Sequence, residues 1–264
     1  MKLPMYQLSS FTRHTFAGNP AAVVVTEEDL DHTLMQQIAA QNNLSETAFV
    51  TLGKSPLPLR WFTPTVEIDL CGHATLAAAH VLWHHGYCSD DVLRFMSLSG
   101  ELSVNRVGEL LQLNFPARPA ELCNEITFTE IAQALGCDQE DIEACLMAKT
   151  LLVALRNQAA LEKLAPVMDK VRLLHPSAVM VTAPGEDVDF VARFFAPNVG
   201  IDEDPVTGSA YTTLAPYWAE RLGKTHLKAR QLSARGGEVV CDLVGERVLI
   251  GGYVQDYLSG EITV

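Results

Sequence analysis

The sequence predicts an α+β protein built from two duplicated domains, residues 1–117 and 118–264, each a mostly antiparallel sheet packed on a central, Ala-rich helix. Three observations carry that reading. The first is size and composition: 264 residues, 48% hydrophobic and 19% charged, suffice for two modest domains with packed cores and are too apolar for a disordered chain. The second is an internal repeat. Arg60, Phe62, Pro64, Val66, Ile68 and Asp69 recur as Arg193, Phe195, Pro197, Val199, Ile201 and Asp202, each pair 133 positions apart. After a three-residue insertion in the second copy, Gly72 and Ala74 recur as Gly208 and Ala210 at a separation of 136. Gly100-Glu101 and Val107-Gly108-Glu109 then recur as Gly237-Glu238 and Val244-Gly245-Glu246 at 137. Matches in one order, drifting only by small insertions, are the mark of duplication. The third observation is local: each half places short β-like runs, broken by turn residues, around one helical segment that opens on a glycine.

Taken in order, residues 5–8 and 22–26 read as strands separated by the Gly18-Asn19-Pro20 turn signal. Asp31 caps a helix over 33–41, and Ala48 and Val50 face one side of a strand over 44–51 that begins near Glu46. Residues 76–85 form an Ala-rich buried helix stopped at Gly86. Strands over 100–105 and 110–114 close the first half, and Phe115-Pro116-Ala117-Arg118-Pro119 marks the boundary. In the second half, Thr127 and Glu130 have capping-box spacing ahead of a helix ending at Gly136, and Asp138 caps a further helix over 140–147. Strands are expected over 151–155, 178–182, 189–195, 238–243 and 247–251, with a kinked helix over 210–222.

The net charge of −13, with no cluster of basic residues, argues against nucleic acid or an anionic membrane as partner, because phosphate is held mostly by Lys and Arg. No stretch approaches the about 20 apolar residues that span a bilayer, and the N-terminus lacks the apolar run of a signal peptide. A soluble, cytoplasmic protein is expected. Six scattered cysteines without CxxC pairs read as free thiols. No dinucleotide fingerprint or P-loop occurs, so no cofactor is expected. His80, His84 and Cys88 are spaced as metal ligands, but Gly86 breaks the helix before Cys88 and no metal is expected there.

Residues 202–210, Asp-Glu-Asp-Pro-Val-Thr-Gly-Ser-Ala, put carboxylates, a turn and hydroxyls directly before a helix, where backbone N–H groups and the helix dipole favour an anion. By duplication, Gly72-His73 opens the matching helix of the first half. Paired across an interdomain cleft, the two helix starts would hold a carboxylate or an enolate-like oxygen.

At these residues the chain resembles the phenazine biosynthesis PhzF-like family and, more distantly, the diaminopimelate epimerase fold. The resemblance rests on Phe16-Ala17-Gly18-Asn19-Pro20, Leu44-Ser45-Glu46-Thr47-Ala48-Phe49, Phe62-Thr63-Pro64 with Glu67, Cys71-Gly72-His73-Ala74-Thr75, and the run from Glu203 to Ala210. It implies a cofactor-independent isomerase, often a homodimer, working on a small carboxylate-bearing substrate in a cleft between its domains. It assigns Glu46 as the proton-shuttling carboxylate, His73, Asp204 and Ser209 as polar groups around the substrate, and Gly72, Gly208 and Asn19 as substrate-binding positions. The segment Gln231-Leu232-Ser233-Ala234-Arg235-Gly236-Gly237 departs from the family's commoner pattern, and the substrate stays open.

A carboxylate that takes a proton from carbon must be partly desolvated, and the apolar stretch around Glu46 supplies such surroundings; the alternative is an exposed strand carboxylate. His73, at a helix start where the dipole disfavours positive charge, is expected to be neutral. Asp204 is a site carboxylate or a helix cap. Ser209 lacks a nucleophile elbow. Two-thiol epimerisation is disfavoured, because the position matching Cys71 is Thr207, and Cys71 is expected simply to pack in the turn. An amino-acid epimerase and a non-catalytic metabolite-binding protein remain the alternatives.

Overall fold

A computed structural model describes residues 1–264. The chain forms two compact units, Met1–Asn114 together with Gly251–Val264, and Phe115–Ile250.

The first unit opens with the antiparallel pair β1 (Lys2–Ser10) and β2 (Asn19–Thr26). Helix α1 (His32–Asn42) then carries the chain over to β3 (Glu46–Thr51), which lies parallel to β2, the crossover that a parallel neighbour requires. Asp31 caps α1 as expected, its Oδ1 accepting from the Thr33 N–H at 2.8 Å. Next come β4 (Leu57–Phe62), antiparallel to β3, and the short β5 (Glu67–Ile68). Helix α2 (Gly72–His84) leads to β6 (Val92–Ser97), parallel to β4, and β7 (Gly100–Val107) and β8 (Leu110–Pro116) follow as a meander. Helix α2 is buried almost all round, from His73 to Ala79 and from Val81 to Trp83, the pattern of a helix enclosed by its sheet. It starts at Gly72 and not at 76, because tertiary enclosure overrides the poor helix propensity of a glycine start. A small core of Leu3, Met5, Val24, Ile38, Phe49 and Phe62 fills the space between α1 and the strands.

The second unit contains β9 (Glu121–Leu122), α3 (Phe128–Leu135), β10 (Ile142–Met147), β11 (Leu151–Leu155), α4 (Gln158–Glu162), α5 (Met168–Leu174), β12 (Val179–Pro184), β13 (Phe190–Phe195), α6 (Tyr211–Leu222), β14 (His226–Gln231) and β15 (Gly237–Val244), and β16 (Arg247–Gly252) runs from it into the closing segment of the first. The capping box of Thr127 and Glu130 is formed, and Gly136 ends α3 in the left-handed conformation at φ 67°. One expectation fails here. Residues 140–147 are not a helix: Asp138 makes no capping bond, one 3₁₀ turn spans Gln139–Asp141, and the chain then extends as β10. The fully buried β11 takes β10 as its antiparallel neighbour, and that non-local pairing outweighs local helix propensity.

The last strand, β17 (Val254–Thr263), pairs antiparallel with β1, Lys2 lying opposite Thr263. The end of the chain therefore belongs with the first unit, which corrects the expected span of 118–264 for the second: the ladder to β1 outweighs sequence proximity.

Duplication is visible in both ladders. In the first unit β1–β2, β2–β3, β3–β4, β4–β6 and β6–β7 run antiparallel, parallel, antiparallel, parallel and antiparallel. In the second, β10–β11, β11–β12, β12–β13, β13–β14 and β14–β15 repeat that alternation. Side chains repeat too. Arg60 grips Glu67 through Nε and Nη2 at 2.6 and 2.7 Å and lies 5.2 Å from the Phe62 ring. Arg193 grips Glu203 at 2.7 and 2.9 Å and lies 5.0 Å from the Phe195 ring. Glu203 thus occupies the place of Glu67, 136 positions on, so the three-residue insertion falls before Glu203 and Asp204 takes the position of Ile68. No helix is long and apolar enough to cross a membrane.

Candidate active site

In the first unit the residues the sequence singles out converge on the start of α2. Glu46 is the first residue of β3 and His73 the second of α2, and both are buried. Glu46 Oε2 lies 3.0 Å from His73 Nε2. The approach is close but off the line of a hydrogen bond, so each of these buried atoms retains unused bonding capacity. Such capacity is costly unless something fills it, which is what a substrate would do. Asn19 begins β2, opposite Ser10 on β1, and Ser10 Oγ donates to the His73 carbonyl at 2.7 Å, fixing the first turn of α2. Gly72 is the first residue of that turn, and Cys71 before it makes no side-chain capping hydrogen bond.

Cys71 is more than turn packing: its Sγ is 3.6 Å from His73 Nδ1, so the imidazole touches a thiol on one nitrogen and a carboxylate on the other. Burial alone would lower the His73 pKa, but the Cys71 sulfur and the Glu46 carboxylate outweigh it and hold it well above the ordinary imidazole value. Burial, reinforced by Glu46, pushes the Cys71 thiol up. The helix position that led to the expectation of a neutral His73 thus acts against two neighbours, the Cys71 sulfur at 3.6 Å and the Glu46 carboxylate at 3.0 Å, that push its pKa up.

In the second unit Asp204, Gly208 and Ser209 share one turn. The Asp204 N–H donates to the Phe194 carbonyl at 3.0 Å, and Thr207 Oγ1 donates to Asp204 Oδ2. Gln231 staples the turn from β14: its Nε2 donates to the Asp204 carbonyl at 2.8 Å and its Oε1 accepts from the Thr207 N–H at 3.0 Å. Ser233 Oγ adds a bond to the Pro205 carbonyl at 2.8 Å. Gly208 begins a 3₁₀ turn without a side-chain cap, and Ser209 within it is exposed. The supporting roles of Gln231 and Ser233 had no signal in the sequence beyond the departure of their segment from the family pattern. Tyr211, fully buried at the start of α6, leaves its hydroxyl without a hydrogen-bond partner; burial, with Cys241 and Asp204 beside it, holds that phenol protonated.

The profile of the phenazine biosynthesis-like proteins matches residues 8–253. The chain belongs to this family. An uncharacterized isomerase of Pseudomonas aeruginosa is 48% identical over 262 residues, covering 99% of this chain and 99% of its own. A crystal structure of a PhzF-family protein from Enterococcus faecalis superposes with a TM-score of 0.96 at 42% identity, covering 100% of both chains. At 9% identity, a hydroxyproline epimerase from Agrobacterium vitis still superposes with a TM-score of 0.63 over 99% of this chain and 92% of its own, which shows the shared fold alone. The diaminopimelate epimerase-like α+β fold expected from the sequence is thus that of the phenazine biosynthesis-like chain described here.

Proposed function

We propose that this phenazine biosynthesis-like protein is an isomerase that moves a proton within a small carboxylate-bearing metabolite by general acid/base catalysis, without a cofactor. The observation that carries the reading is the buried Glu46–His73 contact, two groups 3.0 Å apart with bonding capacity unspent. In the forward step a Glu46 oxygen takes the proton from a substrate C–H bond, whose electron pair spreads into the adjacent unsaturated system. The resulting Glu46 carboxyl then returns that proton to a different carbon of the same system, restoring the carboxylate. His73 steadies the charge of Glu46 between the two transfers. The amides at the start of α2 offer donors to a carboxylate beside Glu46, and in the second unit Asp204, Gly208 and Ser209 are the candidates for contact with polar groups of the substrate.

Screening small unsaturated and hydroxylated carboxylic acids in deuterated water, with deuterium incorporation read by NMR, tests the reading. A positioned acid/base contributes about 10²–10⁴-fold, so Glu46→Gln should lose incorporation by that factor. Full turnover by Glu46→Gln on a substrate so found would refute the assignment. Ligand affinity with no exchange in the unmodified protein would instead make it a binding protein.

A further inference from the structure

On the far turns of α2, away from His73, the helix presents a second cluster of ligating side chains. We propose that His80, His84 and Asp256 form a binding site for a divalent transition-metal ion of the zinc class. His80 and His84 stand one helical turn apart with their rings stacked, centroids 5.1 Å apart and planes 12° from parallel. Strand β17 brings Asp256 to them from the other end of the chain: its Oδ2 is 3.0 Å from His80 Nε2 and 3.8 Å from His84 Nε2. The three ligand atoms lie within 4.8 Å of one another. Around a tetrahedral ion with bonds of about 2.0–2.1 Å, ligand atoms sit roughly 3.4 Å apart, so side-chain shifts of about 1 Å or less would close the site. Cys88, the third ligand that sequence spacing offered, lies beyond the helix end; Asp256 takes that part, and no pattern local to the helix could have revealed it.

Two imidazoles and one carboxylate are a borderline-soft donor set suited to zinc, cobalt(II) or nickel(II), and they leave coordination positions open. The open side has room: the histidines line a cavity of about 570 Å³ shared with Arg13, Arg106, Tyr253 and Gln255. The two guanidiniums there are engaged elsewhere. Arg13 lies 3.5 Å above the Tyr253 ring and bonds Glu109 at 2.8 Å, and Arg106 lies 5.3 Å from the Trp83 ring. A water or small anion on the ion would fill the cavity side. An ion held there clamps β17 to α2, the helix whose first turn carries His73, and this site is independent of the isomerase reading.

The test uses the full-length protein stripped with a chelator and titrated with cobalt(II) or zinc chloride alone. Calorimetry should show one ion bound with a Kd of about 10 μM or tighter. The cobalt(II) complex should show d–d bands without thiolate-to-metal charge transfer. His84→Ala and Asp256→Asn should each weaken binding by about 10-fold or more, whereas Cys71→Ser should leave it unchanged, separating this site from the Glu46–Cys71–His73 cluster. At free ion 100 times Kd, the unfolding equilibrium of the unmodified protein should shift about 100-fold towards the folded state, and that of His84→Ala far less. Absence of binding below about 100 μM, retention of full affinity in both His84→Ala and Asp256→Asn, or a thiolate band in the cobalt spectrum would each overturn the proposal.

Discussion

Replacing Glu46 with Gln keeps the volume of the side chain and removes the charge that faces His73, so its effect on stability should depend on pH in a defined direction. The His73 and Glu46 side chains are only 8% and 10% exposed and lie 3.0 Å apart. Removing one partner of a buried pair costs about 3–5 kcal/mol, and because the contact at 3.0 Å is off the line of a hydrogen bond, so that Gln loses the charge but no formed bond, the lower end, about 3 kcal/mol, is expected. His73 has a folded pKa above its ordinary value near 6.5. Its stabilising contribution is therefore complete below pH 6.5, where the unfolded chain also holds the proton, and is lost as pH rises through the folded value. Between those limits the advantage of the unmodified protein should shrink by up to about 1.4 kcal/mol per pH unit. Urea unfolding of both proteins from about pH 6 to pH 9 measures the gap. A gap that stays constant across the range would refute the Glu46–His73 coupling, as would a variant that equals the unmodified protein already at pH 6.

Three further outcomes follow from the same geometry. Glu203→Gln and Glu67→Gln should each cost about 1–2 kcal/mol in urea unfolding, because each carboxylate is held by two bonds in a partly buried pair, 13% and 22% exposed for Arg193 and Glu203 and 34% and 14% for Arg60 and Glu67; no cost in either variant would refute a stabilising role for the grip. Gln231→Ala removes both bonds that staple the Asp204 turn and should lower kcat/KM about 10–100-fold on whatever substrate shows deuterium exchange, with Glu67→Gln as a control that leaves the turn in place. Cys71, buried and with its thiol pushed up by that burial, should alkylate at least about 100-fold more slowly in the folded protein than after denaturation, as read by peptide mass mapping.

How much of this was legible beforehand depends on whether a feature is local. Asp31, the Thr127–Glu130 box and Gly136 act within a turn or two of themselves, so the sequence announces them and the structure forms them. The duplication is legible because it is a comparison of the chain with itself. Glu46 and His73 could be named from their motifs, but their contact joins a strand start to a helix start, and its protonation follows from a neighbour that helix position alone does not reveal. Strand β10, the docking of β17 on β1 and the Gln231 staple share one property: each depends on a partner remote in sequence, which no local pattern encodes. The misplaced insertion is instructive in another way. Matching letters set Ile68 against Ile201, whereas the guanidinium–carboxylate grip sets Glu67 against Glu203, and geometry is the stricter criterion.

The two copies kept the same scaffold and diverged in chemistry. Both retain the arginine grip and the uncapped glycine start, yet the position matching Glu46, also first in its strand, is Val179, and the positions matching Cys71 and His73 are Thr207 and Ser209. Val179 is fully buried in a core with Leu151, Val153 and Phe195. A carboxylate placed there would be surrounded by aliphatic and aromatic side chains, with none of the imidazole that Glu46 enjoys, at a cost of several kcal/mol. Val179→Glu should therefore lower the urea midpoint sharply while creating no second acid/base. If it folded with unchanged stability, the core of the second unit would not be what forbids a second carboxylate, and selection on the reaction would have to explain the loss. If the cost is as large as the packing demands, the apolar core around Val179 is what keeps a carboxylate out of the second copy, and the asymmetry between Glu46 and Val179 follows from packing.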